Sequence, residues 1–273
     1  MRLATWNVNS IRARLPRLLD WLGRTAADVV CLQEVKVAED EFPFFEIEAL
    51  GYRAVVLGQR TYNGVAILSR TEPTDIRLGL ADGVADDQSR LVAATIEGIR
   101  VLSAYFPNGQ MVGSDKWAYK LDWMRRLHAH LAASYDPTLP LAICGDFNVA
   151  PEDRDVARPE EWGGSVLCHQ DARRALADLT SWGLVDAIRL HHEGPGPFSW
   201  WDYRMLAFPK GNGLRIDHVF VTKALAERCA TSWVDRNERK GKLPSDHAPV
   251  LVDVRQAAEA AARDAGPGSG IAP

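Results

Sequence analysis

Five short segments of this chain end a strand-like apolar run in acids, amides or histidine. They are Thr5-Trp6-Asn7-Val8-Asn9, Cys31-Leu32-Gln33-Glu34, Cys144-Gly145-Asp146-Phe147-Asn148, Leu214-Arg215-Ile216-Asp217-His218 and Ser245-Asp246-His247. One such segment alone reads as a capped turn with a satisfied carboxylate. Five together point to a site, because a strand end is a rigid place from which to hold a loop side chain. Hard cations such as Mg²⁺ or Mn²⁺ take carboxylate and amide oxygens while keeping water, so Glu34 and Asp246, helped by Asn7 or Asn9, suit a sparse oxygen site. His247 needs a carboxylate to fix its tautomer; Asp217 is the candidate, with the adjacent Asp246 as the alternative. Asp146, with Asn148 beside it, fits the activation of a water for in-line attack at phosphorus. The pairs His191-His192 and His128 with His130 lack a third ligand nearby in sequence, so they read as surface or core histidines rather than zinc ligands.

Holding those groups requires strands that end together. Met1 to Asn7 reads as a strand, followed by helical spacing of Ile11, Leu15, Leu18, Leu19 and Leu22 up to Gly23. Further strands are expected at Val29 to Gln33, Tyr52 to Leu57, Gly64 to Ser69, Arg90 to Ile96, Arg100 to Tyr105, Leu139 to Cys144, 214–222 and 249–254. Trp117, Leu121, Met124, Leu127 and Leu131 mark an amphipathic helix from Ser114 to Ala133, and residues 169–182 read as another. The stretch 191–213, rich in Gly, Pro and Trp, reads as a long functional loop. Many neighbouring strands with few helices suit two packed sheets with helices outside better than a doubly wound parallel sheet.

At 273 residues and 47% apolar, the chain can bury one large core. A single domain over 1–255 is expected, with 256–273, which contains Gly-Pro-Gly-Ser-Gly, as a flexible tail. No internal repeat occurs at 20 to 50 residues. The start of the chain lacks a secretory apolar stretch and no uncharged run reaches membrane-spanning length, so a cytoplasmic protein is expected. Cys31, Cys144, Cys168 and Cys229 are scattered without metal-finger spacing, which suits free buried thiols in a reducing compartment. A net charge of −4 argues mildly against a polyanionic partner, so phosphate contacts would have to come from local clusters. The candidates are Arg12, Arg14 and Arg17; Lys116, Lys120, Arg125 and Arg126; and Arg236, Arg239, Lys240 and Lys242. Each could equally be a solvated face. No long apolar surface helix demands a partner, so a monomer is expected.

The same residues carry a family resemblance. Trp6 to Arg12, Leu32 to Lys36, Tyr105-Phe106-Pro107-Asn108-Gly109, Gly145 to Pro151, Phe198 to Arg204, Gly213 to Asp217 and Ser245 to Val250 occur in an order that resembles the bacterial exonuclease III group of the endonuclease/exonuclease/phosphatase superfamily. The resemblance implies an α/β fold, a four-layer α/β/β/α sandwich with two mixed β-sheets. It also implies one or two Mg²⁺ ions, and cleavage of double-stranded DNA 5′ to abasic sites, with 3′→5′ exonuclease and 3′-end-cleaning activity. By the same transfer Glu34 is the principal metal ligand, with Asn7, Asn9 and Asp246 near it. Tyr105 and Asn108 hold the scissile phosphate, Asp146 and Asn148 the attacking water, and His247 with Asp217 a phosphate oxygen. Trp200, Leu214 and Ile216 match a small apolar pocket for a sugar lacking its base, which loses little stacking when flipped out; Trp201 reads as a core aromatic. Two departures stand out. Asn9 replaces an aspartate of some relatives, and the insert Glu152 to Val166 is acidic and tryptophan-bearing, so DNA contacts made there by basic residues elsewhere in the family are not carried over.

Two rivals remain at this stage. A different phosphodiesterase of the superfamily would keep the metal and water residues but lack the Phe198 to Arg204 and Gly213 to Asp217 segments. A silent binding protein of the same fold could have lost its carboxylates, yet Glu34, Asp146, Asp217, Asp246 and His247 are all present.

Overall fold

The computed structural model describes residues 1–256. The apolar runs pair into twelve strands: β1 Arg2–Asn7, β2 Val29–Gln33, β3 Arg53–Leu57, β4 Val65–Ser69, β5 Thr74–Leu78, β6 Leu91–Ile96, β7 Ile99–Tyr105, β8 Leu141–Asp146, β9 Leu184–Asp186, β10 Asp217–Thr222, β11 Cys229–Val234 and β12 Val250–Val254. The helices are α1 Ile11–Thr25, α2 Phe44–Glu48, α3 Asp115–Ser134, α4 Pro159–Trp162, α5 Gln170–Thr180, α6 Ala207–Lys210 and α7 Lys223–Ala226. Two six-stranded sheets result, in the orders β11-β12-β1-β2-β4-β3 and β5-β6-β7-β8-β10-β9. Both are mixed, since β1 runs parallel to β2 and β7 parallel to β8 while their other neighbours are antiparallel.

Strands β1, β2, β4, β8 and β10 are buried almost throughout because both of their faces are covered. Between the sheets, Val29, Cys31, Val65 and Ile67 meet Val101, Ala142, Cys144 and Val219. On the outside of the first sheet, Trp6, Val30 and Leu32 pack under Ile11, Leu18, Trp21 and Leu22 of α1. On the outside of the second, Leu102, Leu141 and Ile143 pack under Met124, Leu127 and Leu131 of α3 and Leu176 and Leu179 of α5. The layers therefore run α/β/β/α, and truncating any one of these leucines to alanine should cost about 2–5 kcal/mol.

Helix α1 does not stop at Gly23 as expected. It runs to Thr25 and ends at Ala26, whose left-handed backbone lets its amide bond back to the Leu22 carbonyl. Three strands were not legible: β5 is exposed along its whole length, β9 has three residues, and β11 carries polar residues in its middle. The expected strand at 214–222 starts only at Asp217, because Leu214 instead exchanges backbone bonds with Trp200. The long loop 191–213 holds only the short α6. All four cysteines are free and buried. Most of the expected tail, residues 257–273, lies outside the described residues, and no described helix is long and apolar enough to cross a membrane.

Candidate active site

The strand pairing decides which side chains can meet. Asn7 at the end of β1 stands beside Gln33 of β2, and Tyr105 at the end of β7 stands beside Asp146 of β8. Because β10 is antiparallel to β8, its first residue, Asp217, also lies opposite Asp146. Across the interior β1 faces β8 and β2 faces β7, so all these ends open on one rim. Gly145, just before Asp146, must be glycine: a Cβ there would lie 1.8 Å from the Ala104 carbonyl oxygen. Asn9, Glu34, Lys36 and Asn148 all adopt left-handed backbone, with φ between 43° and 56°. Such conformations cost a non-glycine residue about 1 kcal/mol or more, and they gather where side chains must be aimed out of a sheet.

The two sheets are stitched by Asn7. Its amide nitrogen donates to Glu34 Oε1 at 2.7 Å and to Asp146 Oδ2 at 2.9 Å, while its oxygen accepts the Asn9 amide at 2.9 Å. Glu34, Asp146 and His247 bring ligand-type atoms within 4.8 Å of one another. His247 Nε2 lies 3.7 Å from Asp146 Oδ2, and its Nδ1 meets both oxygens of Asp217 at 3.0 and 2.8 Å. Asp217, not Asp246, is thus the partner of His247. The Ser199 hydroxyl donates to Asp217 Oδ2 at 2.6 Å and accepts the Ile216 and Asp217 amides, which aligns the carboxylate. Asn148 takes part through its backbone amide, bonded to Asp146 Oδ1 at 2.9 Å, and its side-chain oxygen accepts from Asn108 Nδ2 at 2.9 Å.

Burial disfavours charge on Asp146 and pushes it up to about 7 against the pull of His247. Burial also opposes the imidazolium of His247, but Asp217 and Asp146 outweigh it and hold that group up at about 10. Burial, with Glu34 and Asp146 nearby, keeps Tyr105 a phenol well above its usual range. Asp246 stays below the usual carboxylate range despite burial, held there by His247 and by the Trp200 indole and Asn9 amide that donate to it at 3.0 and 2.9 Å. Among the described residues, the cations in ion pairs with the four carboxylates here are His247 and Lys36, whose ammonium touches Glu34 Oε2 at 2.7 Å and Asn9 Oδ1 at 2.6 Å. Such an excess of buried oxygen charge fits a hard divalent cation. The geometry divides the four expected oxygen ligands: Glu34 joins Asp146 and His247 at the centre, while Asn7 acts as a donor and Asn9 and Asp246 bond each other at the edge.

Trp200, Leu214 and Ile216 do lie together, joined by Ala150, Val156, Leu167, Cys168 and Trp162. The aliphatic pair is 0% and 2% exposed, however, and Trp162 stands edge-on to Trp200 with centroids 5.6 Å apart. Trp201 is core, as expected. Several of the candidate cations neither meet a phosphate-sized cleft nor stay solvated, but turn inward. Arg14 bonds Tyr203 and the Pro244 carbonyl, Arg17 pairs with Glu238, Arg126 with Asp82 and Asp86, and Arg239 bonds the Ser245 and Trp201 carbonyls. Lys116 does line a cleft of about 480 Å³ beside Tyr105 and Asn108, together with Tyr62 and Arg90. Sequence reasoning missed Ser199, Lys36 and Trp162; the first two could have been sought as partners for Asp217 and Glu34.

Comparison with known proteins follows this geometry. A model described as the endonuclease/exonuclease/phosphatase family matches residues 4–247. An exodeoxyribonuclease III of Haemophilus influenzae is 34% identical over 267 residues, covering 93% of this chain and 100% of that one. Among solved structures, an AP endonuclease from Archaeoglobus fulgidus is similar with a TM-score of 0.91 and 39% identity, over 94% of this chain and 100% of that chain. A 3′ phosphatase, NExo, from Neisseria, solved with a product DNA hairpin, is similar with a TM-score of 0.90 and 37% identity, again over 94% and 100%.

Proposed function

The chain belongs to the endonuclease/exonuclease/phosphatase family, and from that premise we propose that it is a metal-dependent DNA repair nuclease. It hydrolyses the backbone 5′ to abasic sites and trims or cleans 3′ ends of double-stranded DNA. The observation that carries this reading is the convergence of Glu34, Asp146 and His247 within 4.8 Å, backed by the His247–Asp217 pair. In this reading one catalytic domain spans residues 1–255, acting as a monomer in the cytoplasm.

Glu34 and Asp146 would hold the cation, Mg²⁺ or Mn²⁺, with Asn7, Asn9 and Asp246 ordering the carboxylates around it. A cation bound there would offset the charge that develops on the phosphoryl oxygens. Asp146, which burial makes a readier proton acceptor, takes a proton from the attacking water, which Asn148 orients, while the bond from phosphorus to the leaving sugar oxygen breaks and that oxygen takes a proton from water. His247, charged at neutral pH, donates to a non-bridging oxygen. Tyr105 and Asn108 donate to the same phosphate from the other side, and Lys116 and Tyr62 along the adjoining cleft contact the strand.

The test is cleavage of a duplex bearing one abasic analogue, beside the intact duplex, in Mg²⁺ and in EDTA. Metal-dependent cutting of either supports the reading; binding without cutting in Mg²⁺ overturns it. One observation bears on the balance with 3′ ends: Trp162 stands edge-on to Trp200, in one cluster with the buried Leu214 and Ile216, beside the place expected to take a flipped sugar. Trp162→Ala should then raise abasic incision relative to 3′ trimming, and an unchanged ratio would remove Trp162 as the cause.

A further inference from the structure

Lys120 projects from α3 into the protein and is 0% exposed, without a carboxylate in contact. Its ammonium has three N–H groups and finds three main-chain carbonyls: Asn108 at 3.1 Å, Asn148 at 2.8 Å and Val166 at 2.7 Å. These belong to three separate segments, the loop after β7, the loop after β8 and the stretch between α4 and α5. The lysine stem also forms the floor of the first loop. Gly109, at φ 91°, sits so close that a Cβ would lie 3.0 Å from Lys120 Cδ and 3.1 Å from Trp117 Cε3. Above this floor the side chains of Asn108 and Asn148 bond each other at 2.9 Å. Burying an ammonium is costly, so its retention where an apolar side chain could fill the space calls for a reason beyond packing.

We propose that Lys120 is a positioning residue. It clamps the Asn108 and Asn148 loops through their carbonyls, so that the two amides meet the scissile phosphate and the attacking water at a fixed spacing. The inference rests on the roles given above to Asn108 and Asn148. A loop that drifts by about 1 Å loses rate rather than affinity, because alignment matters most at the transition state.

The test compares wild type with Lys120→Met, which keeps the stem and removes the charge, and with Asn108→Ala and the double variant. Expected is a fall in kcat of about 10- to 100-fold for Lys120→Met, with KM for DNA within about threefold. The double variant should lose little more than Asn108→Ala alone, since both changes act on one unit. Lys120→Gln, which restores a donor, should recover part of the rate. Unchanged kcat, or losses that multiply, overturns the proposal. Amide hydrogen exchange gives a readout independent of activity: residues 108–110 and 147–150 should exchange faster in Lys120→Met, and unaltered exchange there also overturns it. Were wild type inactive on every DNA substrate, the nuclease reading would fail while the exchange result would still decide the clamp.

Discussion

Two buried charge networks share the segment Leu214 to His218, and they behave oppositely. On one side of the chain, Asp217 joins Asp146, Glu34 and Asp246, where carboxylates outnumber cations. On the other, Arg215 pairs with Asp155 and with Asp186, each at 2.7 Å, and Arg189 also pairs with Asp155, two acids against two guanidinium groups. His218 completes this second network, accepting from Arg215 at 3.0 Å and donating to the Val149 carbonyl at 2.9 Å. Asp217 and His218, the first two residues of β10, point to opposite faces of the sheet, so these neighbours serve different networks. The balanced network pairs its charges within itself. The unbalanced one holds charge that only a cation or a substrate can answer, and buried polarity marks a site when its charges do not sum.

The contrast can be broken from either side. The largest effect is expected from Asp146→Asn, which removes the proton acceptor: kcat should fall about 10³- to 10⁴-fold, while DNA affinity by anisotropy stays within a few-fold. If affinity and turnover fall together, Asp146 positions substrate instead. Arg215→Met should do the reverse, leaving Asp155 and Asp186 under-compensated at a cost of about 3–5 kcal/mol in chemical denaturation, with kcat per folded molecule nearly kept. Loss of activity without loss of stability would merge the two networks. Asp217→Asn comes next, about 10²-fold in kcat, because His247 loses its orienting partner. Its residual rate should also decline more steeply than wild type's between pH 7 and 9, as His247 no longer stays charged toward about 10.

The smallest effect expected is on stability against pH. Burial, then Arg215, pushes His218 down to about 4, below the ordinary unfolded value of about 6.5. The unfolded chain therefore takes up the proton first, and the stability present above about 6.5 is lost as pH falls toward 4, by up to about 3 kcal/mol. His247, raised instead, contributes stability that is complete below about 6.5 and lost as pH rises through about 10. Urea midpoints of wild type and His218→Leu between pH 4.5 and 7 check the first sign; equal slopes would mean that His218 is not buried neutral.

The central strands were readable because continuous apolar runs bounded by Gly, Pro and Asp have one reading. The edge strand β5 was not, since a strand exposed along its whole length has no apolar period to detect. Among site residues, those at strand ends were legible by type alone, and the His247–Asp217 pair was correctly anticipated. What composition could not reveal was direction. Arg126, Arg239 and Lys120 look like surface cations in the sequence, and only packing shows that their charges face carbonyls and carboxylates inside. Trp162 escaped notice because its partner Trp200 lies far along the chain.

The placement of β1 between β12 and β2 bears on how the protein is born. Strand β1 waits for β12, and Asn7 reaches the Ser245 hydroxyl, which bonds its carbonyl, only after 238 further residues are synthesised. Contacts so distant in sequence form late and leave hydrophobic edges open meanwhile. A nascent chain released before His247 has emerged would lack both the closing strand and the imidazole. Copies that stop short of His247 are in consequence without that imidazole, and any cleavage that uses it belongs to chains that have passed this point.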